Sequence, residues 1–298
     1  MPFRDTLSSA GFVVTAELGP PVDPDPEAVR LIARALAPVV HAANVTDNQA
    51  ASVKLSPLAC SVWMLEEGLE PIIQMTTRDR NVLALQADLL GAWALGVRAV
   101  LALGGDPLRV GPYEAIAKPV GDLDSLGLAR LITRLNEGEL AAGETLQQPT
   151  GFLVAAAANP LVDTIERLEQ KVAAGADCFQ TNIVYDVDRF AAWFAPVVQA
   201  GVSEQAPVLV GVTPPRSTRM LQHLHDNVPG VEVDDATFAR MAGLEGDAAK
   251  TAGIQIAVEI VQRLRDVPGV AGVHIMAPRW EAEAVPAVVS GAGVEPQL

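Results

Sequence analysis

Two carboxylates occupy positions from which they can move protons. Glu17 ends the apolar run FVVTAE and precedes a stiff Gly-Pro-Pro turn, and Asp106 lies in Gly104-Gly105-Asp106-Pro107, just past the apolar run AVLAL. A carboxyl held at a strand end, partly out of water, has a raised pKa and serves as a general acid. Two consecutive glycines let backbone approach a planar or phosphate-bearing ligand closely, where Asp106 would meet it. Each feature also has an ordinary reading, a solvated Glu and a common Asp-Pro turn. The other polar residues near predicted strand ends are Thr46, Gln74 with Thr76 and Thr77, Asn159, Thr181 with Asn182, and Thr213. The set contains no histidine, so it does not read as a metal-hydrolase rim, and no metal site is expected. No Ser/His/Asp or Cys/His set is visible. Arg167 and Lys171 lie four apart on one predicted helix face. They either reach a diphosphate or carboxylate or sit on the surface beside Glu166 and Glu169. His223 and His225 read as surface residues.

The elements that must position these side chains alternate between short β-rich runs and stretches of helical period. The predicted strands are Phe12–Glu17, His41–Thr46, Pro71–Thr76, Ala99–Leu103, Gly151–Ala157, Cys178–Ile183, Pro207–Val212 and Gly272–Met276. Helices are predicted over Pro26–Leu36, Leu58–Glu67, Asp79 to the Gly96 cap, Leu123–Asn136, a stripe from Leu161 to Val172, Val187–Gln199, Thr218–Leu224 and Ala248–Leu264, with a last one from Trp280. Eight such pairs imply an α/β fold with a parallel sheet closed into a single (β/α)8 TIM barrel. An open doubly wound sheet competes, but the turn after the first strand, GPPVDPDP, is not a dinucleotide fingerprint. One domain over 1–298 is expected, with an inserted loop region at about 227–245 and a frayed tail, VSGAGVEPQL. The barrel mouth, at the strands' C-terminal ends, is where the rim residues above would converge.

Composition agrees. The 298 residues are 50% hydrophobic but only 4% aromatic, so the core is built from Ala, Val, Leu and Ile. A net charge of −15 repels nucleic acid and anionic membranes, so neither is expected as a partner. Cys60 and Cys178 lie far apart and read as reduced thiols in a cytoplasmic protein. The N-terminus lacks a signal-peptide pattern. The most apolar long stretch, Leu85 to Gly105, is broken by Asp88 and Arg98 and reads as helix, turn and strand rather than a membrane span. A homo-oligomer is compatible with all of this.

The segments TAELGPP, NVTDN, RDRNVLALQADLLGAWALGVRAVLALGGDP, NPLVDTIERLEQKVAAGADCFQTNIVYD and HDNVPGV, in that order and spacing, resemble the methylenetetrahydrofolate reductase family from about Gly11 to Ile275. Arg78 to Pro107 is the most specific part, followed by the run from Lys171 to Asp177 with Phe179-Gln180-Thr181. The resemblance implies a flavin-dependent (β/α)8 barrel in one-carbon metabolism and methionine biosynthesis. Such an enzyme reduces methylenetetrahydrofolate to methyltetrahydrofolate with NADH or NADPH through FAD, nucleotide and folate using one flavin face in turn. It implies that Glu17 is the general acid opening the folate's five-membered ring to an iminium. Asp106 would be the carboxylate beside the flavin ring, tuning it and approaching the folate. Thr46, Gln74, Leu103, Gly104, Gly105 and Asn159 would fall at cofactor-binding positions, Lys171 with Arg167 near the diphosphate, and Asn182 and Thr218 at folate contacts.

The sequence also departs from the family pattern. Gln74 and Asn159 stand where members carry His, and Gly104 where some carry Arg. Asn182 replaces a folate-contacting Gln and is one methylene shorter, and Thr218 falls near a position often filled by a large apolar residue. Loss of two imidazoles and a guanidinium weakens the expected hold on flavin. The alternative is a folate-binding barrel with weak or no flavin binding, acting in methyl or methylene transfer. A barrel lyase or aldolase is a third option, but no lysine ends a predicted strand to form a Schiff base.

Overall fold

The computed structural model describes residues 3–9 and 11–296. Eight parallel strands close into a barrel in sequence order, β1 beside β8. After helix α1 (Phe3–Ser9), β1 (Val13–Leu18) leads to α2 (Pro26–Leu36), β2 (Ala42–Val45) to α3 (Pro57–Glu66), β3 (Pro71–Thr76) to α4 (Val82–Ala94), and β4 (Ala99–Leu103) to α5 (Ser125–Asn136). The second half runs β5 (Leu153–Ala158), α6 (Ile165–Ala173), β6 (Cys178–Ile183), α7 (Val187–Gln199), α8 (Val202–Gln205) and β7 (Val208–Val212). It continues with α9 (Thr218–Asn227), α10 (Asp235–Met241), α11 (Gly246–Arg265), β8 (Val270–Ile275) and α12 (Glu281–Ala292).

Most helices begin at a short polar residue that closes the preceding loop. The side chains of Asp25, Asn81, Asp124, Thr164, Asp186, Ser217 and Asp234 each accept a backbone N–H from the first turn of the helix that follows. Each such cap contributes about 1 kcal/mol and fixes where the helix leaves the barrel mouth.

Strand alternation divides the side chains into an outer set, packed under the helices, and an inner set filling the barrel. Val13, Ala42, Ile72, Ala99, Leu153, Cys178 and Leu209 form the apolar floor, with Phe3 of α1 packed against the same cluster. Above it lies a polar layer. Thr15 Oγ1 is 3.0 Å from Nδ1 of His274, and Asn44 and Gln180 exchange two amide hydrogen bonds of 2.6 and 3.0 Å across the barrel. Burial drives the His274 pKa down to about 3, so this imidazole stays neutral and structural. The register places Glu17 of β1 beside Asn44 of β2, and Gln74 of β3 beside Leu101 of β4. Glu17 and Gln74 therefore belong to the next layer up, at the mouth.

Several expected boundaries move. The fifth helix starts at Ile165 rather than near Leu161, because Asn159 accepts the Leu161 N–H and Asp163 accepts the Asn159 N–H, turning the chain before Thr164 can cap. Val162 is left 69% exposed. The region expected as an inserted loop, about 227–245, carries α10. The expected frayed tail is helical through Ala292, with Val289 and Ala292 buried; its last two residues lie outside those described. Among the described residues, no helix is long and apolar enough to cross a membrane, and no group of acid, His or Cys side chains is arranged to hold a metal.

Candidate active site

Glu17 points into the mouth yet is only 6% exposed. Burial pushes its pKa up from 4.5 to about 7. The Glu281 carboxylate, and more weakly Asp106, push the same way, while donors from Gln49 and Gln74 oppose them. Gln49 Nε2 lies 3.3 Å from Glu17 Oε1. At neutral pH the side chain is thus divided between acid and carboxylate, the state a general acid needs. Any step that consumes its proton should show an alkaline limb near pH 7, above which the rate falls about tenfold per pH unit. A kcat/KM profile flat to pH 9 would assign the proton to another group.

Asp106 reaches the same mouth by a different route. Backbone bonding between β3 and β4 continues past the strands, with Thr77 N donating to Leu103 O and Arg78 N to Gly104 O, both at 3.1 Å. Gly105 adopts φ +86, and a Cβ there would lie tightly, 3.1 Å from Arg78 Cβ and 3.2 Å from Thr76 Cβ, so the turn favours glycine. Asp106 Oδ2 then accepts the Ala50 N–H at 2.7 Å. Because Gln49 touches Glu17 and Ala50 touches Asp106, the two carboxylates share one mouth.

An ionic frame fixes both loops. Arg78, 6% exposed, donates to Asp106 O at 2.9 Å and Asn48 O at 3.2 Å, and its guanidinium pairs with Asp79 at 2.6 Å. Arg80 pairs with Asp47 at 2.6 Å and Asp88 at 2.8 Å; Asp47 also accepts the Thr76 N–H and hydroxyl, each at 2.8 Å.

The other expected residues are distributed as follows. Thr46 and Gln74 are buried at the ends of β2 and β3, Gln74 facing Glu17. Leu103, Gly104 and the inward-facing Ala157 leave the β4–β5 side bare; a Cβ on Gly104 would meet nothing within 4 Å. Lys171 lies beside this shelf, donating to Ala157 O at 2.9 Å and pairing with Asp163 at 2.6 Å. Arg167 does not join it, since its Nη1 contacts Gln170 at 3.2 Å. Asn159 packs against Gly230, and Asn182 donates to Pro229 O at 2.8 Å while accepting the Ile183 N–H at 2.9 Å, so both meet the loop after α9. The Thr218 hydroxyl donates to Met241 O at 2.9 Å, within the α9–α10 pair. His223 and His225 are exposed, as expected.

Reasoning from sequence missed Gln49, Arg78, Asp47, Arg80, Gln180 and Glu281. The charge pattern Arg78-Asp79-Arg80 beside Asp47 was the available signal for the ionic frame. Glu281 carried none, since it is brought to the mouth only when α12 packs on β1. It is 4% exposed, and its Oε1 would stand 3.3 Å from a Cβ at Gly19.

Comparison with known proteins follows the same lines. Residues 3–293 match the family model described as methylenetetrahydrofolate reductase. Methylenetetrahydrofolate reductase 1 of Schizosaccharomyces pombe is 24% identical over 225 residues, covering 72% of this chain and 34% of that protein. Methylenetetrahydrofolate reductase 2 of Saccharomyces cerevisiae is 27% identical over 218 residues, covering 70% of this chain and 34% of that protein. The chain therefore spans about a third of the length of these curated relatives. Among solved structures, an uncharacterised Clostridium thermocellum protein, described as binding two copies of 5-methyl-5,6,7,8-tetrahydrofolic acid, superposes with a TM-score of 0.69 at 13% identity, covering 98% of both chains. That likeness is one of fold.

Proposed function

The chain belongs to the methylenetetrahydrofolate reductase family, and on that premise we propose that it reduces methylenetetrahydrofolate to methyltetrahydrofolate, with NADH or NADPH as reductant and FAD as carrier. The observation that carries this reading is Glu17, a buried carboxyl with a pKa near 7 at a mouth shared with Asp106.

The chemistry requires such a group. A methylene bridge between two nitrogens is a poor hydride acceptor. A proton delivered from Glu17 to one bridge nitrogen opens the ring to an iminium, whose carbon accepts hydride readily. Glu17 then carries the negative charge, which the Gln49 and Gln74 amides are placed to offset.

A flavin ring would find room where Gly104 and Ala157, both exposed and with little or no side chain, lie at the ends of β4 and β5, and Asp106 follows two residues after Gly104. Bound FAD would supply the hydride transfer. Thr46, Gln74, Leu103, Gly104, Gly105 and Asn159 would surround it, with Lys171 as the cation for its diphosphate. The Lys171 charge is shared with Asp163, so the diphosphate end is thinner in cations than the ring end is in shape. Lys171→Ala should weaken FAD affinity about tenfold, somewhat less than a full charge-assisted hydrogen bond. An unchanged Kd would leave Lys171 as the structural partner of Asp163 only.

That same pairing favours the second reading, a folate-binding barrel with weak flavin binding that serves methyl or methylene transfer. The absorption spectrum of the purified protein, with and without added FAD, separates the two. A bound flavin band with substrate-dependent bleaching supports the reductase. Tight methyltetrahydrofolate binding with no flavin uptake supports the alternative.

A further inference from the structure

Two consecutive residues of one loop touch the two carboxylates at once. Gln49 donates to Glu17 at 3.3 Å, and the next backbone N–H, that of Ala50, donates to Asp106 at 2.7 Å. The loop is strained, with Asn48, Ala50 and Ala51 at φ 45, 54 and 49. Such left-handed conformations are strained outside glycine, with Asn the most tolerant, and persist only where partners hold them. The Asn48 end is held by Arg78 and Asp79, each at 3.2 Å. The Ala50 N–H is held by Asp106, while the Ala50 carbonyl accepts the Ser52 hydroxyl at 3.3 Å and lies close against Gly111. The Gln49 side chain is exposed, so packing alone does not fix it on Glu17.

We propose that Gln49 is a positioning residue for the Glu17 carboxyl, and that Asp106, by holding Ala50, holds Gln49 in place. The loop then links the acid to the second carboxylate. A ligand group that takes Asp106 from Ala50 also loosens Gln49 from Glu17, so occupancy near Asp106 is reported to the proton donor. The catalytic meaning of this linkage rests on the reductase reading; the linkage itself is a property of the protein alone.

The sign of one effect separates this from simple charge repulsion. The groups facing Glu17 are the neutral donors Gln49 and Gln74 and the carboxylates Glu281 and Asp106. Removing the Asp106 charge acts through space to lower the Glu17 pKa. Releasing Gln49 acts to raise it, and the Gln49 contribution is the larger of the two.

The test is a carboxyl 13C NMR titration of glutamate-labelled protein without substrate, Glu17 being assigned by its loss in Glu17→Gln. Gln49→Ala should raise the Glu17 pKa by about half a pH unit or more. Asp106→Asn, which keeps an oxygen for Ala50 but no charge, should lower it. Asp106→Ala, which keeps neither, should raise it, and in a Gln49→Ala background both Asp106 variants should lower it alike. An unchanged pKa in Gln49→Ala, or a lowered one in Asp106→Ala alone, overturns the proposal. Should Asp106→Ala not fold, Asp106→Ser, one atom shorter than Asp, takes its place with the same expectation. A protein that shows the linkage but makes no methyltetrahydrofolate would keep this inference and lose the reductase reading.

Discussion

On the proposed reductase reading, Glu17→Gln will lower the rate of methylenetetrahydrofolate reduction by about 10²–10⁴-fold, the usual contribution of a positioned general acid. Flavin reduction by NADH, which needs no proton from this side chain, will be spared. Glutamine keeps the size and the hydrogen-bonding oxygen but has no acidic proton to give, so the loss should fall on the folate half-reaction, read by stopped-flow absorbance. Equal loss in both half-reactions would remove Glu17 as the folate acid. The same substitution should stabilise the fold at alkaline pH. The folded pKa lies near 7 and the unfolded one near 4.5. The unfolded chain therefore ionises first as pH rises, and stability falls between those values. Above pH 7 the accumulated penalty is about 3 kcal/mol, absent below pH 4.5 and absent throughout in Glu17→Gln. Urea unfolding at pH 5 and pH 8 measures it; a variant no more stable than the wild type at pH 8 would contradict the raised pKa.

The largest structural effect is expected at Arg80. Its partner Asp47 has no exposed side-chain surface and takes its direct countercharge from Arg80, with Arg78 a weaker second one. Arg80→Met strands that carboxylate, at a cost of about 3–5 kcal/mol. Asp47 also holds the Thr76 N–H and hydroxyl, at the end of the strand that carries Gln74. Distortion there should reach the mouth, so ligand affinity should fall together with the urea midpoint. A loss below 1 kcal/mol would mean that Asp47 is solvated or neutralised in some other way.

The barrel and its two carboxylates were legible because both follow from local pattern. Apolar runs of strand length that end in a polar residue put that residue at the mouth, which marked Glu17; the paired glycines just past the fourth strand marked Asp106, and the family resemblance lifted both above their ordinary readings. Other parts were not local. Gln49 sits on Glu17 only because Asn48, Ala50 and Ala51 take left-handed conformations, which Asn48 tolerates but the two alanines do not announce. Glu281 approaches Gly19 only after β8 closes on β1 and α12 follows. The pairing of Lys171 with Asp163, rather than a shared cationic face with Arg167, depends on side chain-to-backbone hydrogen bonds near Asn159 that outcompete an early helix start. The family motifs singled out the stretch from Arg78, and in the structure this stretch holds the loops that carry Gln49 and Asp106.

The most direct test is an anaerobic turnover measurement on the purified protein with added FAD, NADH and methylenetetrahydrofolate, the products being separated by chromatography. The account predicts methyltetrahydrofolate formed in proportion to NADH consumed, with a rate that declines above about pH 7 and drops by about 10²–10⁴-fold in Glu17→Gln. Intact methylenetetrahydrofolate after prolonged incubation with reduced flavin, or product formed equally well by Glu17→Gln, would contradict it.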